Sequence, residues 1–303
     1  MNSLKSPPHE SNHINFTDTI AFASRKLAQT RLHKVSEALR RYYPVKRGLT
    51  TIHNFDGDLT ISVDRASYVT SAIYWRGHHS THIAKFLQEH LRPDMTFVDV
   101  GANMGELTLV AGKRLEHGRV LAFEPVPDIF EELSRNVAIN NLSRVELFNI
   151  GLFDTTASLP IFRLRDINFG TINDGVPSLF STGDDRQQVM VPLRRFDELA
   201  RQCSLQRLDV MKIDVEGAEI MVLRGAEASI KRFRPIIITE LSDENFQRAG
   251  YTSDDLISYL KSLEYDVQIL DDPRGRIPLL CDAICFPREA ALNDQRGENS
   301  GQR

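Results

Sequence analysis

The stretch "FVDVGANMGELTL", residues 97–109, constrains the fold more than any other part of the chain, because it places a glycine turn between a strand and a helix. Phe97, Val98 and Val100 form the apolar run of a buried strand, and helical spacing of apolar residues begins at Met104. A strand that turns through glycine into a helix presents backbone N–H groups to a ligand. The stretch therefore predicts an α/β fold with a ligand site beside this turn.

Strand and helix patterns alternate through the segments that follow, and this alternation predicts a parallel sheet covered by helices on both faces. We expect "VELFNIGLFD" to form one strand and residues 218–230 to form one helix. Two final apolar segments, "YDVQIL" and "LLCDAICFP", flank a turn at "DDPRGR". The last strand should therefore run antiparallel to the strand before it.

The chain divides into five predicted segments. These are a disordered N-terminus (1–17), a basic helical extension (18–48), a hairpin and helix cap (49–94), the main α/β domain (95–289) and a disordered tail (290–303). Between Arg25 and Arg47 the extension holds eight Lys or Arg residues and one Glu. Such a helix could lie on the domain as a solvated element, or it could make peripheral contact with an acidic membrane surface or a partner.

Composition limits the class of protein. Apolar residues make up 41% of the chain, the net charge is −4 and there are three cysteines. The charge gives no general attraction to nucleic acid, and no stretch has the length of a transmembrane segment or the pattern of a secretory signal. An odd, small number of cysteines is typical of a reducing compartment, so we expect a cytoplasmic protein.

The ligand of the glycine turn follows from the charges beside it. Gly101 and Gly105 are not followed by the third glycine of the dinucleotide motif, and Asp99 would repel a phosphate but attract an ammonium group. Glu124 ends the second strand, 23 residues after Gly101, where an acidic residue can accept both hydroxyls of a ribose. A ligand with an amino-acid end and an adenosine end satisfies both positions. The sequence therefore predicts S-adenosylmethionine.

At these residues the chain resembles a known family. "FVDVGANMGELT", "VLAFEPVPDIFEELSRNVAINN", "IGLFD" and "MKIDVEGAEIMVLRGA" are together similar to the FkbM family of S-adenosylmethionine-dependent methyltransferases, over residues 50–287. The resemblance implies a doubly wound, Rossmann-like α/β fold with a seven-stranded, mostly parallel sheet and an antiparallel last strand. It also implies methylation of a hydroxyl group on a sugar, glycolipid, polyketide or related small molecule.

The resemblance further implies which residues hold the cofactor. One group would cradle the methionine part, Glu124 the ribose and a third group the adenine, with Asp214 closest to the sulfonium. The residues of the first group are Asp99, Gly101, Asn103 and Gly105, and those of the third are Gly151, Leu152 and Asp154. Tyr74 could form a wall of the cofactor site or pack in the core.

Candidate catalytic residues follow two of the predicted strands. Asp214 and Glu216 lie two apart at one strand end, and Glu240 ends the next, so all three can face the crevice at the carboxyl edge of the sheet. These carboxylates could act as a base, hold a hard cation such as Mg²⁺, or bind a polyol. Glu219 could act as a base or complement the dipole of its helix.

The stretch "GHHSTH" adds a histidine to the catalytic candidates. The pKa of a histidine suits proton removal near neutral pH, and His79 is our candidate from this stretch. On a helix, His78 and His82 would share one face, but the stretch offers no further ligand for zinc. Residues 165–188 form a polar stretch too long for an ordinary connector, which predicts an active-site lid.

Three rival functions stay open. An N-methyltransferase would use the same cofactor. A nicotinamide oxidoreductase would need the third glycine, which the chain lacks. A non-catalytic binding or scaffold module would retain the fold, but none of the cofactor motifs of this chain is degraded, which counts against it.

Overall fold

The computed structural model describes residues 16–28, 30, 33–42, 49–64, 68–164, 177–180, 186–270 and 280–288. Residues 1–15 of the predicted disordered N-terminus (1–17), the predicted tail at 290–303, the turn at 271–276 and most of the predicted lid lie outside these residues. Residues 16 and 17 belong to a helix, so the predicted end of the disordered N-terminus was two residues too late. The helices are α1 Phe16–Ala28, α2 His33–Tyr42, α3 Tyr68–Arg76, α4 Thr81–His90, α5 Glu106–Arg114, α6 Pro127–Ile139, α7 Phe196–Gln202, α8 Glu219–Gly225, α9 Glu227–Phe233, α10 Asp243–Ala249 and α11 Ser253–Ser262. The strands are β1 Leu49–Phe55, β2 Leu59–Asp64, β3 Thr96–Val100, β4 Arg119–Phe123, β5 Val145–Phe148, β6 Gly151–Leu152, β7 Ala157–Leu164, β8 Arg186–Arg194, β9 Val210–Ile213, β10 Ile236–Ser242, β11 Tyr265–Ile269 and β12 Leu280–Pro287.

Seven strands form the main sheet, in the order β11-β12-β10-β9-β3-β4-β5. The strands from β10 to β5 are parallel, whereas β12 is inserted between β10 and β11 and runs antiparallel to both. The predicted seven-stranded, mostly parallel sheet with an antiparallel last strand is therefore confirmed.

Alternate residues of the central strands pack into two separate cores, one on each face of the sheet. Phe97 of β3 lies in one core with Leu87 and Leu109, from α4 and α5. Its neighbour Val98 lies in the other core with Leu223, from α8. Because successive side chains of a strand point to opposite faces, helices on both sides bury the sheet. The prediction of a doubly wound fold is confirmed.

The predicted third strand is divided in the structure. Its first part is β5, in the main sheet, whereas β6 leaves that sheet and forms a three-stranded sheet in the order β6-β8-β7. The side-chain amide of Asn149 donates hydrogen bonds to the carbonyl oxygens of Glu124 and Pro125, at 2.9 and 3.1 Å. These side-chain bonds replace the backbone pairing that would have continued the strand, so the prediction of one strand was wrong.

The helix predicted at 218–230 is also divided, into α8 and α9. Gly225 packs closely on the segment that follows β6, and a Cβ atom there would lie 2.0 Å from the carbonyl oxygen of Phe153. The carboxylate of Asp197 then accepts the backbone N–H groups of Ala228 and Ser229, at 3.0 and 2.8 Å. Those donors are free at a helix start, so Asp197 stabilises a second helix.

The segment before the main sheet contains α1, α2, the β1–β2 hairpin, α3 and α4. Helices α1 and α2 are joined by a hydrogen bond of 2.8 Å from the Ser24 hydroxyl to the Ser36 hydroxyl. Phe22 and Val35 on these helices are 40% and 43% exposed, and the peripheral contact of this segment stays a prediction. None of the helices in the described ranges combines the length and the apolar character needed to cross a membrane.

Candidate active site

Three carboxylates meet at the carboxyl edge of the main sheet. Asp214 and Glu216 follow β9, and Glu240 lies on β10, which is parallel to β9. One oxygen of each carboxylate lies within 4.8 Å of an oxygen of the others. The structure thus brings together the three acidic residues that the sequence places at this edge.

The glycine turn lies against the end of β9. Gly101 has a φ of +75°, and a Cβ atom there would lie 1.9 Å from the carbonyl oxygen of Asp214. Only glycine allows this approach, because it has no side chain and accepts the left-handed conformation. At Gly105 a Cβ atom would lie 2.7 Å from Leu133 of α6, so Gly105 allows close helix packing.

Asp99, on β3, is completely buried behind this turn. Its Oδ2 accepts a hydrogen bond of 2.6 Å from the Thr108 hydroxyl, and the Nζ of Lys212 lies 3.3 Å from its Oδ1. The sequence analysis predicted the acid at this position but missed the lysine. A charged residue inside the apolar strand β9, paired in register with Asp99, is the signal that could have identified it.

Lys212 connects three segments of the site. Its Nζ donates a hydrogen bond of 2.7 Å to the carbonyl oxygen of Gly101 and lies 3.6 Å from the Oδ2 of Asp214. Burial lowers the pKa of the Lys212 ammonium, but the negative charges of Asp99 and Asp214 outweigh it and hold that pKa above its ordinary value. The ammonium group therefore stays charged.

Glu124, predicted to hold the ribose, is buried after β4. Its two carboxylate oxygens accept the backbone N–H groups of Asn103 and Val126, each at 3.0 Å. Asn103 itself has a φ of +50°, and its side-chain oxygen accepts the N–H of Met104 at 2.8 Å. Burial raises the pKa of Glu124 to about 7. Glu124 thus ties the glycine turn to the next strand end, and its contact with a ribose stays a prediction.

Glu216 lies in a strained loop with a φ of +55°. The side-chain amide of Asn245 donates a hydrogen bond of 2.6 Å to its carboxylate, and the Ser178 hydroxyl donates one of 2.8 Å to its carbonyl oxygen. Burial, with the nearby charges of Asp214 and Glu219, raises the pKa of Glu216 to about 8. A group with this pKa can gain or lose a proton near neutral pH.

The pKa of Glu240 is also raised well above its ordinary value, first by burial and then by the charges of Asp214 and Glu216. The negative charges of the three carboxylates repel one another, so the two glutamates hold their protons to a higher pH than an isolated glutamate does. They form the part of the site that is best suited to proton transfer.

Glu219 has a different role from its neighbours. Its carboxylate accepts the N–H groups of Val215 and Gly217, at 2.9 and 3.0 Å, and it also faces the Tyr251 hydroxyl at 3.3 Å. Burial raises its pKa to about 7. With these partners Glu219 fixes the loop that carries Glu216, which favours the structural alternative over a role as a base.

His79 lies in the loop between α3 and α4. Burial lowers the pKa of the His79 imidazole, and the negative charges of Glu106 and Asp214 oppose that shift without cancelling it. The imidazole therefore lies near these two acidic residues. The Oε1 of Glu106 accepts the N–H of His79 at 2.9 Å. His78 precedes α4, which begins at Thr81, so His78 and His82 do not share a helical face.

The residues predicted near the adenine are the two residues of β6, Gly151 and Leu152, and Asp154 shortly after it. A Cβ atom at Gly151 would lie 2.5 Å from Leu193, Leu152 is buried in the core, and the carbonyl oxygen of Asp154 accepts a hydrogen bond of 2.6 Å from Arg195. Tyr74 is 1% exposed and packs in the core. The cofactor contacts of these four positions stay predictions.

Comparison with known proteins finds methyltransferases both among protein families and among individual relatives. The profile described as the Methyltransferase FkbM domain matches residues 99–267. Methyltransferase sdnD of Sordaria araneosa is 32% identical over 154 residues, which cover 43% of this chain and 60% of that protein. The 2-O-methyltransferase NoeI of Sinorhizobium fredii is 25% identical over 201 residues, which cover 61% of this chain and 77% of NoeI. The crystal structure of methyltransferase FkbM from Methylobacillus flagellatus KT has a TM-score of 0.42 and 18% identity, covering 64% of this chain and 44% of that one.

Proposed function

The chain belongs to the FkbM methyltransferase family, and we propose that it transfers the methyl group of S-adenosylmethionine to a hydroxyl oxygen of a sugar, glycolipid or other small acceptor. One observation carries the proposal. Asp214, Glu216 and Glu240 converge within 4.8 Å at the carboxyl edge of the sheet, beside the glycine turn of β3. An acidic crevice at this place complements a cofactor that carries a sulfonium and an ammonium group.

The cofactor-binding residues follow from the same edge. We assign the methionine end to the turn after β3, the ribose to Glu124 and the adenine to the segment that begins at β6. The residues assigned to the methionine end and to the adenine are Asp99, Gly101, Asn103 and Gly105, and Gly151, Leu152 and Asp154, respectively. The assignment of the methionine end is supported by the close approach of the Gly101 backbone to Asp214, which leaves no room for a side chain in the turn.

The cofactor, when bound, supplies a methyl carbon that its sulfonium has already activated. The protein then has to align the acceptor oxygen and take its proton. Burial and repulsion from Asp214 raise the pKa of Glu216 and of Glu240, so the ionised form of either carboxyl is a stronger base than an ordinary carboxylate and is suited to this step. His79 is the second candidate base, because its lowered pKa keeps the imidazole neutral and able to accept a proton.

An oxygen acceptor is favoured over a nitrogen acceptor for two reasons. A hydroxyl must lose its proton to react, and the site holds several groups that can accept one, whereas a neutral amine attacks without a base. In addition, the relative NoeI is named a 2-O-methyltransferase. The three half-buried carboxylates of the crevice also count against a non-catalytic module, because like charges held together away from bulk water are costly and a scaffold has no need of them.

The proposal is tested by ligand binding and then by turnover. S-adenosylmethionine and S-adenosylhomocysteine should raise the melting temperature of the protein, whereas NAD should not, since a ligand at a hundred times its dissociation constant stabilises the native state by about 2.7 kcal/mol. Transfer of a labelled methyl group to a panel of sugars and glycolipids, with matched amino sugars, then separates oxygen from nitrogen acceptors. Absence of any shift with both adenosyl ligands would remove the proposed function.

A further inference from the structure

We propose that Lys212 is a positioning residue, which holds the glycine turn and the Asp99 carboxylate in the geometry that binds the amino-acid end of the cofactor. This inference rests on the proposed function. Lys212 lies inside β9, is 4% exposed and is paired in register with Asp99 of β3. A lysine is rarely buried to this degree unless it is paired, so its partners define its role.

The Lys212 ammonium has four neighbours, which belong to the end of β3, to the glycine turn and to the end of β9. Its Nζ donates a hydrogen bond of 2.7 Å to the carbonyl oxygen of Gly101 and lies 3.4 Å from that of Val100. Its other two neighbours are the carboxylates of Asp99, at 3.3 Å, and Asp214, at 3.6 Å. One side chain thus joins the end of β3, the turn and the end of β9.

The charges around Lys212 explain why this connection matters for binding. Negative groups face it from three directions: Asp99 on β3, Glu124 after β4, and Asp214 with Glu216 after β9, while His79 faces it from the loop before α4. Without the ammonium group, Asp99 and Asp214 would repel each other, and the carbonyl oxygen of Gly101 would lose its donor. The turn would then relax, or the buried Asp99 would take up a proton.

The two ends of the cofactor should respond differently to the loss of Lys212. The contacts of Lys212 lie at the end of β3 and in the turn that we assign to the amino-acid group. The ribose and adenine positions belong to the ends of β4 and β5 and to β6, where Lys212 makes no hydrogen bond or ion pair within the described part of the chain and acts on Glu124 only through the longer-range attraction of its charge. A ligand that lacks the amino-acid group should therefore be almost indifferent to Lys212.

The test compares two ligands by titration calorimetry: S-adenosylhomocysteine, and 5′-methylthioadenosine, which has the nucleoside but no amino-acid group. Lys212→Met should weaken S-adenosylhomocysteine about tenfold or more and change methylthioadenosine by less than about threefold, because a lost buried charged contact costs that much. Lys231→Met, which removes an exposed lysine paired with Glu227, is the matched control and should bind both ligands as the parent does.

Each outcome has a definite meaning. Equal losses for both ligands assign Lys212 to stability alone, and unchanged affinities remove it from the site; both results overturn the inference. If Lys212→Met does not fold, Lys212→Gln replaces it, because the amide keeps a donor for Gly101 while removing the charge; unfolding of both variants also overturns the inference. A parent protein that binds neither ligand refutes the proposed function itself, which distinguishes the two failures.

Discussion

The carboxylate of Glu106 joins the helix after the glycine turn to the loop that carries His79. Its Oε1 accepts the backbone N–H of His79 at 2.9 Å and that of Ser80 at 3.2 Å, and it lies 3.2 Å from the Nδ1 of His78. Burial acts to raise the pKa of Glu106, but its hydrogen bonds with the His78 side chain and the His79 backbone outweigh burial, so the pKa lies below its ordinary value. The ionised carboxylate can therefore accept all three contacts.

Replacing Glu106 with Gln should lower turnover more than it lowers cofactor affinity. The glutamine carbonyl still offers one acceptor, but the side chain lacks the negative charge that strengthens all three contacts, so His79 should be held less firmly, and a misplaced group commonly costs tenfold or more in rate. We expect single-turnover methyl transfer to fall about tenfold, with less than about a threefold change in S-adenosylhomocysteine affinity. Glu116→Gln, at an exposed position after the same helix, is the control. A variant with the parent's rate would show that this loop does not contribute to the chemistry.

Gly101→Ala should be much more destabilising than a glycine replacement elsewhere with the same backbone conformation. Gly101 and Gly250 have φ values of +75° and +85°, but a Cβ atom would meet the Asp214 carbonyl oxygen at 1.9 Å in the first case and nothing within 4 Å in the second. We expect Gly250→Ala to cost about 1 kcal/mol, from the left-handed conformation alone. Gly101→Ala should cost on the order of 3 kcal/mol or more in urea unfolding, since the chain must also move apart. Equal losses would show that the contact with Asp214 is not tight.

The sequence could predict the sheet and the acidic edge because both depend on local patterns. Apolar runs identified the strands, and the parallel order then placed Asp214, Glu216 and Glu240 at one edge. It could not predict where a strand leaves the sheet, because that depends on side-chain bonds such as those of Asn149, which are formed only in the folded chain.

The contacts between residues of the site could not be predicted from the sequence either. Lys212 pairs with Asp99, which lies 113 residues earlier in the chain, so the sequence can single out a charged residue inside an apolar strand but not the partner that it meets. Glu106 occupies the first position of a helix, where an acidic residue is expected for the helix dipole alone. Its contacts with the loop before α4 come from the packing of α4 on α5, which no spacing of apolar residues specifies.

The raised pKa values of the carboxyl groups predict that stability falls as the pH rises. Glu216 and Glu240 have pKa values above the ordinary 4.5, with that of Glu216 at about 8, so between these limits the native state holds protons that the unfolded chain has lost. Stability therefore decreases with rising pH over this window. Glu240→Gln removes one such group, and its melting temperature should fall roughly 2–4 °C less than that of the parent between pH 5 and pH 8. Glu244→Gln, on the exposed surface of α10, should keep the parent's slope.

Removal of divalent metal ions should leave methyl transfer unchanged. Asp214, Glu216 and Glu240 have the donor atoms and the spacing to hold a hard cation such as Mg²⁺, but a carboxyl group must lose its proton before it binds a metal. Burial and the repulsion among these carboxylates raise the pKa of Glu216 and of Glu240, so a cation would have to compete with protons for both groups. Protein treated with EDTA should therefore retain its single-turnover rate within about twofold at pH 7. Loss of the rate after chelation, with recovery on addition of Mg²⁺ but not of K⁺ at equal ionic strength, would instead assign the three carboxylates to a metal centre.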